Sequence, residues 1–250
     1  LSSNQPKAFL VARLCDVAPD GSSLFISYGV LNMNYRNGFH QQKALVPGKS
    51  YQISIKLDDC AHIFPKGHRA RIAFSTNYWP MIWPSPESPE ISIQTGLSQL
   101  ELPIQKQKRR ACNVRETFKL PEPFISKICQ PTTISGHSEA SVKFDAANGK
   151  TQVKRGFGSG GVKIADIDLV SNGHAMLTHT IYDHDPLTAV SESQSTQELK
   201  RDQWNISTKV NTKLSATKDT FILTVLLEAY EDKIRVFVRN WNHTIPRETI

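Results

Sequence analysis

Along this chain apolar and polar residues alternate over short stretches far more often than they recur at helical spacing. Tyr51, Ile53, Ile55 and Leu57 are separated by Gln52, Ser54 and Lys56, a period of two that places the four apolar side chains on one face of a half-buried strand. Val46-Pro47-Gly48-Lys49 turns the chain into that segment, and Lys66-Gly67-His68 turns it into a second run, Arg69 to Ser75. Upstream, Phe9 to Val17 and Leu24 to Leu31 flank the turn signal Pro19-Asp20-Gly21, and downstream Ile91-Ser92-Ile93 and Leu100-Glu101-Leu102-Pro103 supply shorter strands. No segment carries a convincing helical repeat. Many short strands at this spacing predict an all-β sandwich or jelly roll, because a sheet with one apolar face needs a second layer over it.

A stretch rich in charge and proline follows, with Pro121, Pro123 and Pro131, and reads as a connector. Beyond it strand patterns return in Lys150 to Lys154, Val162 to Val170, Ala175 to Tyr182, Gln203 to Leu214, Thr220 to Tyr230 and Lys233 to Trp241. Breaks such as Ser171-Asn172-Gly173 and Glu231-Asp232 separate them. This predicts a second, antiparallel β-rich region, a meander curved around one apolar face or packed against the first region. The expected division is therefore 1–104, a linker over 105–134, and 135–250.

Composition narrows the function classes. Hydrophobic residues at 39% and charged residues at 21%, with only 13 Gly and 14 Pro, exclude a disordered or low-complexity chain. The formal charge of +7 would suit an anionic partner, but the basic residues are spread along the chain, so nucleic acid is not expected. The one dense basic run, Lys106 to Arg110, reads as solvated linker. Cys15, Cys60, Cys112 and Cys129 form no CxxC pair and are sparse for a disulfide scaffold, which fits a reducing cytoplasm. Phe221 to Ala229 is interrupted by Thr224 and Glu228 and is too short to span a bilayer, so no membrane partner is expected. The sequence starts at Leu1 with no signal pattern, as a mature product or an excised fragment would.

Several motifs offer chemistry. Gly156-Phe157-Gly158-Ser159-Gly160-Gly161 satisfies G-x-G-x-x-G, but phosphate binding needs a helix directly afterwards, and Val162 to Leu169 alternates as a strand. A flexible hairpin loop is the expectation. Gly136-His137-Ser138-Glu139-Ala140 approaches the nucleophile elbow of serine hydrolases, yet Ser141 to Phe144 looks extended where a helix is required. A small hydrolase built on Ser138, His179 and Asp183 is thus disfavoured. Asp183-His184-Asp185-Pro186 reads as a turn before it reads as metal ligands, and His62 and His68 flank a loop. No catalytic residue, metal or cofactor is assigned. Tyr78-Trp79-Pro80-Met81-Ile82-Trp83-Pro84-Ser85-Pro86 is the most unusual segment, since its prolines bar it from a central strand. An aromatic platform for sugar and an edge docked against another domain both fit; docking is favoured, with Tyr78, Trp79, Trp83 and His68 as candidate binding or interface residues.

Taken in order, these stretches resemble the C-terminal jelly-roll (galactose-binding-like) domain of the bacterial Xaa-Pro dipeptidyl-peptidase and CocE/NonD hydrolase family. The resemblance is carried by Leu10 to Val17 with Pro19-Asp20-Gly21, Ser27 to Leu31 with Tyr35-Arg36, Leu45-Val46-Pro47-Gly48, Phe64 to Ile72, and Ser75 to Pro86. The second region resembles a terminal extension of some CocE/NonD members through His179 to Ala189, Arg201-Asp202-Gln203-Trp204 and Arg239 to Glu248. The resemblance implies an N-terminal α/β-hydrolase domain with a Ser, Asp and His triad, none of whose motifs occurs here, and a jelly roll missing its first strands. It also implies packing of this chain on that domain, with Tyr78 to Pro86 as the first candidate contact. Oligomeric state is left open by the sequence, a homo-oligomer included. The competing expectation is a stand-alone carbohydrate- or ligand-binding module.

Overall fold

The computed structural model describes residues 1–104, 132–134, 136 and 138–248. All regular elements longer than three residues are strands, and every paired strand is antiparallel. The all-β expectation is met. The expected linker, the basic run Lys106 to Arg110, Cys112 and Cys129 fall outside the described residues, apart from 132–134.

In the first region a short β1 (Ser2–Ser3) pairs with β5 (Ile91–Ser92), and β2 (Phe9–Val17) lies between β3 (Ser23–Asn32) and β4 (Arg69–Ser75). The sequence of β2 explains its central place: seven of its nine residues are buried, and only Arg13 and Cys15 are not. Ala8, Leu10, Met33 and Leu45 form the core, with Leu31, Tyr51, Ile53 and Ile91 packed against it. Alternation over Tyr51 to Leu57 therefore points the expected side chains inward. The segment differs from the expected strand in lacking a regular ladder. It is held at its ends by different partners, the Tyr51 amide to the Leu1 carbonyl and the Asp58 amide to the Tyr28 carbonyl, both 2.8 Å. Between them it passes so close over β3 that a β-carbon on Gly29 would lie 2.2 Å from the Lys56 carbonyl oxygen. Leu100 to Pro103, expected as a short strand, is irregular.

The second region is one sheet in the order β13, β12, β11, β10, β9, β8, β6, with β7 pairing along the other half of β8. Its strands are β6 (Thr132–Ile134), β7 (Ser138–Asp145), β8 (Lys150–Ile164), β9 (Leu169–Tyr182), β10 (Asp185–Arg201), β11 (Trp204–Ala216), β12 (Thr220–Glu231) and β13 (Ile234–Pro246). This is the expected meander, joined by tight turns at which His184, Asp202 and Asp232 take positive φ. Three details depart from expectation. The expected strand Val162 to Val170 is cut by a 3-10 turn at Ala165–Ile167, with Asp168 at φ +47°, whereas Ser171-Asn172-Gly173, expected as a break, is paired inside β9. The glycine motif is no hairpin loop: β8 runs through it, with a bulge at Gly158/Gly160 where Gly160 takes φ +63°. And β10, a long polar stretch, is a central strand.

Register assigns each side chain to a face, because successive residues alternate. Gln194, Asn211, Leu226 and Asn240 stand opposite one another on one face, as do Glu192, Lys213, Thr224 and Asn242. The other face carries Leu177, Ser193, Thr212, Val225 and Trp241 in one cross-strand row and His179, Ser191, Leu214, Leu223 and His243 in the next. One face of the meander is polar and the other largely apolar.

Candidate functional site

The proline-rich segment after β4 meets the apolar face of the meander. Trp79 and Trp83 stack edge to face, their centroids 5.1 Å apart. Trp79 meets the His179 ring of β9 at 5.8 Å, and Trp83 meets Phe221 of β12 at 5.6 Å, both T-shaped. Arg247, just beyond β13, completes the seam. Its side chain is 3% exposed. Its guanidinium lies 4.8 Å from the Phe221 ring centre, Nη2 donates to the Pro84 carbonyl at 2.7 Å, and Nη1 donates to the Thr217 carbonyl at 3.0 Å. The Lys7 ammonium donates to the Arg247 carbonyl at 3.0 Å, and Lys218 pairs with Glu87 at 2.9 Å. Residues from both regions are thus bolted together around two tryptophans. Burial holds the Arg247 guanidinium below its ordinary value, and burial, followed by the charge of Arg155, holds the His179 imidazole below 6.5.

The four sequence-nominated residues separate. Trp79 and Trp83 lie in the seam. Tyr78 turns toward the first sheet, 5.6 Å from the Tyr28 ring and under the Arg13 guanidinium. His68 sits at the opposite end of β4 from the tryptophans and belongs to a different cluster. There Asp16, 4% exposed in a sheet strand, accepts a hydrogen bond on each carboxylate oxygen: from His68 Nδ1 at 2.8 Å and from His62 Nε2 at 2.8 Å. Burial pushes the Asp16 carboxyl up, but the two histidine hydrogen bonds and the histidine charges outweigh it and hold it below its ordinary value. One carboxylate orients both rings and ties the 58–68 loop to β2. Sequence spacing could not show this, because Asp16 lies 46 residues from His62. Arg247 was equally hidden: nothing in a C-terminal Pro-Arg-Glu announces a buried guanidinium.

The remaining motifs are structural. Ser138 begins a strand, not an elbow, and its hydroxyl donates to the Gly156 carbonyl at 3.2 Å. It stands opposite Phe157, whereas His179 stands opposite Val153, about 13 Å farther along β8. Asp183 lies at the turn beside Gly149. The three do not form a triad. No group of three metal-binding side chains is found among the described residues, and no described helix is long and apolar enough to cross a membrane.

Comparison with known proteins places this geometry. Cocaine esterase of Rhodococcus sp. (strain MB1 Bresler) is 28% identical over 80 residues, which are 32% of this chain and 14% of that enzyme. The chain therefore spans a small part of the relative it matches. No solved structure matches. The family model for the X-Pro dipeptidyl-peptidase C-terminal non-catalytic domain matches residues 1–116, the stretch that holds the first sheet, the Asp16 cluster and both seam tryptophans. Residues 1–116 are an X-Pro dipeptidyl-peptidase-like C-terminal domain.

Proposed function

We propose that this chain is the non-catalytic C-terminal part of a cytoplasmic bacterial serine hydrolase, whose ester- or peptide-cleaving triad lies in an α/β-hydrolase domain on the same polypeptide. Its task is to pack on that domain and shape the substrate pocket. The observation that carries this is the match of residues 1–116 to a non-catalytic domain of peptidases, supported by the esterase relative. The chain's own candidate nucleophile is consistent with it, since Ser138 is bonded along a strand and distant from His179. Because Trp79 and Trp83 are engaged within the chain, the part of the 78–86 segment left to wall a pocket is Met81, 62% exposed between them. A fluorophosphonate probe that modifies activated serines tests the reading: it labels the native polypeptide and leaves this 250-residue chain unlabelled. Labelling of this chain, abolished by Ser138→Ala, sinks it.

A second reading has one observation in its favour. Gln194, Asn211, Asn240 and Asn242 line a depression on the polar face of the meander, and side-chain amides supply the paired donors and acceptors that sugar hydroxyls use. Retention of the chain on polysaccharide columns, lost on Asn211→Leu, is the outcome that reading requires.

A further inference from the structure

We infer that the apolar face of the meander docks on the catalytic part of the same polypeptide, against a patch of that part whose apolar centre is flanked by carboxylates. The inference rests on the reading above and adds the surface and its chemistry. It begins from the one-sidedness of the sheet. Glu139, Lys154, Glu192, Lys209, Lys213 and Glu228 all project from the polar face. From the row of Phe221 to the row of Ala229, the opposite face holds no carboxylate, and its fixed charges are Arg155 on β8 and Arg239 on β13. A sheet face of this kind is stable in water only under a second layer.

Among the described residues the seam supplies that layer at one end, over His179 and Phe221. Away from it the apolar side chains stand in solvent: Phe144 is 60% exposed, Phe157 50% and Phe237 48%. The open face continues the surface that the tryptophans already use, so a second body can extend an existing interface. Its extent suits one. From β7 to β13 the strand spacing gives about 29 Å, and the stretch of β12 beyond the rows the seam covers, Val225 to Ala229, gives about 14 Å, roughly 400 Å² that adds to the seam toward the ~800 Å² each partner contributes to a stable interface.

Charge decides between occupants. A second copy laid face to face on this one would set arginines against arginines with no acid between them. A partner with carboxylates near both flanks answers Arg155 and Arg239, which stand about 24 Å apart across five strand spacings. Arg239 is already extended over the Trp241 ring at 4.9 Å, its guanidinium held at the rim. Along the middle, β10 presents Ser191, Ser193 and Ser195 to this face in successive rows, followed by Gln197 in the row of Ala229. Small side chains there leave a furrow between the apolar banks of β8–β9 and β11–β12, suited to a convex element such as a helix about 10 Å wide.

Hydroxyl-radical footprinting of the native polypeptide and of this chain alone tests the inference. Phe157 and Phe237 are expected to oxidise at least fivefold more slowly in the native polypeptide, while Tyr182 on the polar face stays unchanged. Arg239→Glu in the native polypeptide should restore most of the lost reactivity. Equal rates in the two forms overturn the docking surface, and so does protection in this chain alone accompanied by a dimer mass, which assigns the face to a second copy. The fluorophosphonate probe applied to the same samples separates the two failures. A labelled polypeptide with a reactive face leaves the hydrolase reading standing, and a native product that is neither labelled nor larger than this chain removes both.

Discussion

Replacing Arg247 by alanine should detach the two regions before either unfolds. The guanidinium joins the Pro84 carbonyl, the Thr217 carbonyl and the Phe221 ring. Pro84 is buried, so its carbonyl would lose its donor without gaining water, at a cost of about 2 kcal/mol. Thr217 is exposed, and solvent can replace the second bond at little cost. The cation–ring contact adds about 1 kcal/mol at a desolvated site. Relief of the buried charge works in the opposite direction, which makes about 3 kcal/mol an upper figure and about 1.5 kcal/mol a reasonable lower one. Urea titration followed by two signals reads this directly. With Trp204 and Trp241 of the meander replaced by phenylalanine, tryptophan emission reports the seam through Trp79 and Trp83, and far-ultraviolet circular dichroism reports the sheets. With a slope of about 2 kcal/mol per molar urea, the emission midpoint should fall by about 0.7–1.5 M, ahead of the dichroism midpoint. Arg247→Lys should recover part of the loss, since an ammonium can reach one carbonyl but not form the fork. An alanine variant whose emission midpoint moves by less than 0.2 M, or whose two signals still coincide, would refute the bolt.

Three further outcomes follow from the same geometry. His179 is held below 6.5 when folded, so the unfolded chain binds the extra proton first; stability should be full above about pH 6.5 and decline as pH falls below it, and His179→Phe should flatten that slope in a pH series of thermal melts. Asp16 is held below its ordinary value, so its contribution is present above about pH 4 and is lost as pH falls through the lower folded value; Asp16→Asn should reduce the melting temperature at pH 7, the gap to the parent chain narrowing toward pH 3, and amide exchange should quicken over residues 58–68. Gly29→Ala places a methyl 2.2 Å from the Lys56 carbonyl and should cost about 2 kcal/mol or more in chemical denaturation, because backbone rather than a flexible side chain must move; an unchanged midpoint would show that the 51–58 segment does not ride on β3.

The parts of the fold that announce themselves in the sequence are those where one face is apolar. β2, β4, β11, β12, β13 and the second half of β9 are each visible as alternation or an apolar run, and the hairpin at Glu231-Asp232 is marked by its turn residues; the first half of β9 is not, because Ser171-Asn172-Gly173 has the composition of a turn. β10 is not, because its inward positions are Ser191, Ser193 and Ser195 and its outward ones Glu192, Gln194 and Thr196; a polar-polar alternation has no amplitude. β8 is interrupted on paper by a glycine motif that the ladder absorbs with one bulge. Tyr51 to Leu57 has the right inward face and the wrong pairing, since alternation specifies exposure and says nothing of hydrogen-bond partners. The tryptophan segment is legible as unusual from its composition, but its partners, His179 and Phe221, lie about a hundred residues or more downstream, and only the register of the meander brings them to the same face. The Asp16 cluster is hidden for the same reason: chemistry assembled between a strand and a loop about fifty residues away leaves no local spacing.

The most direct test of this chain as the non-catalytic part of a larger enzyme is the mass of its native product, read by immunoblot of the source with antibody raised against these 250 residues. A band more than twice the 28.0 kDa of this chain is the expected result and shows the additional domain. A band at 28 kDa would contradict it, and the amide-lined depression on the polar face would become the leading place to look for function.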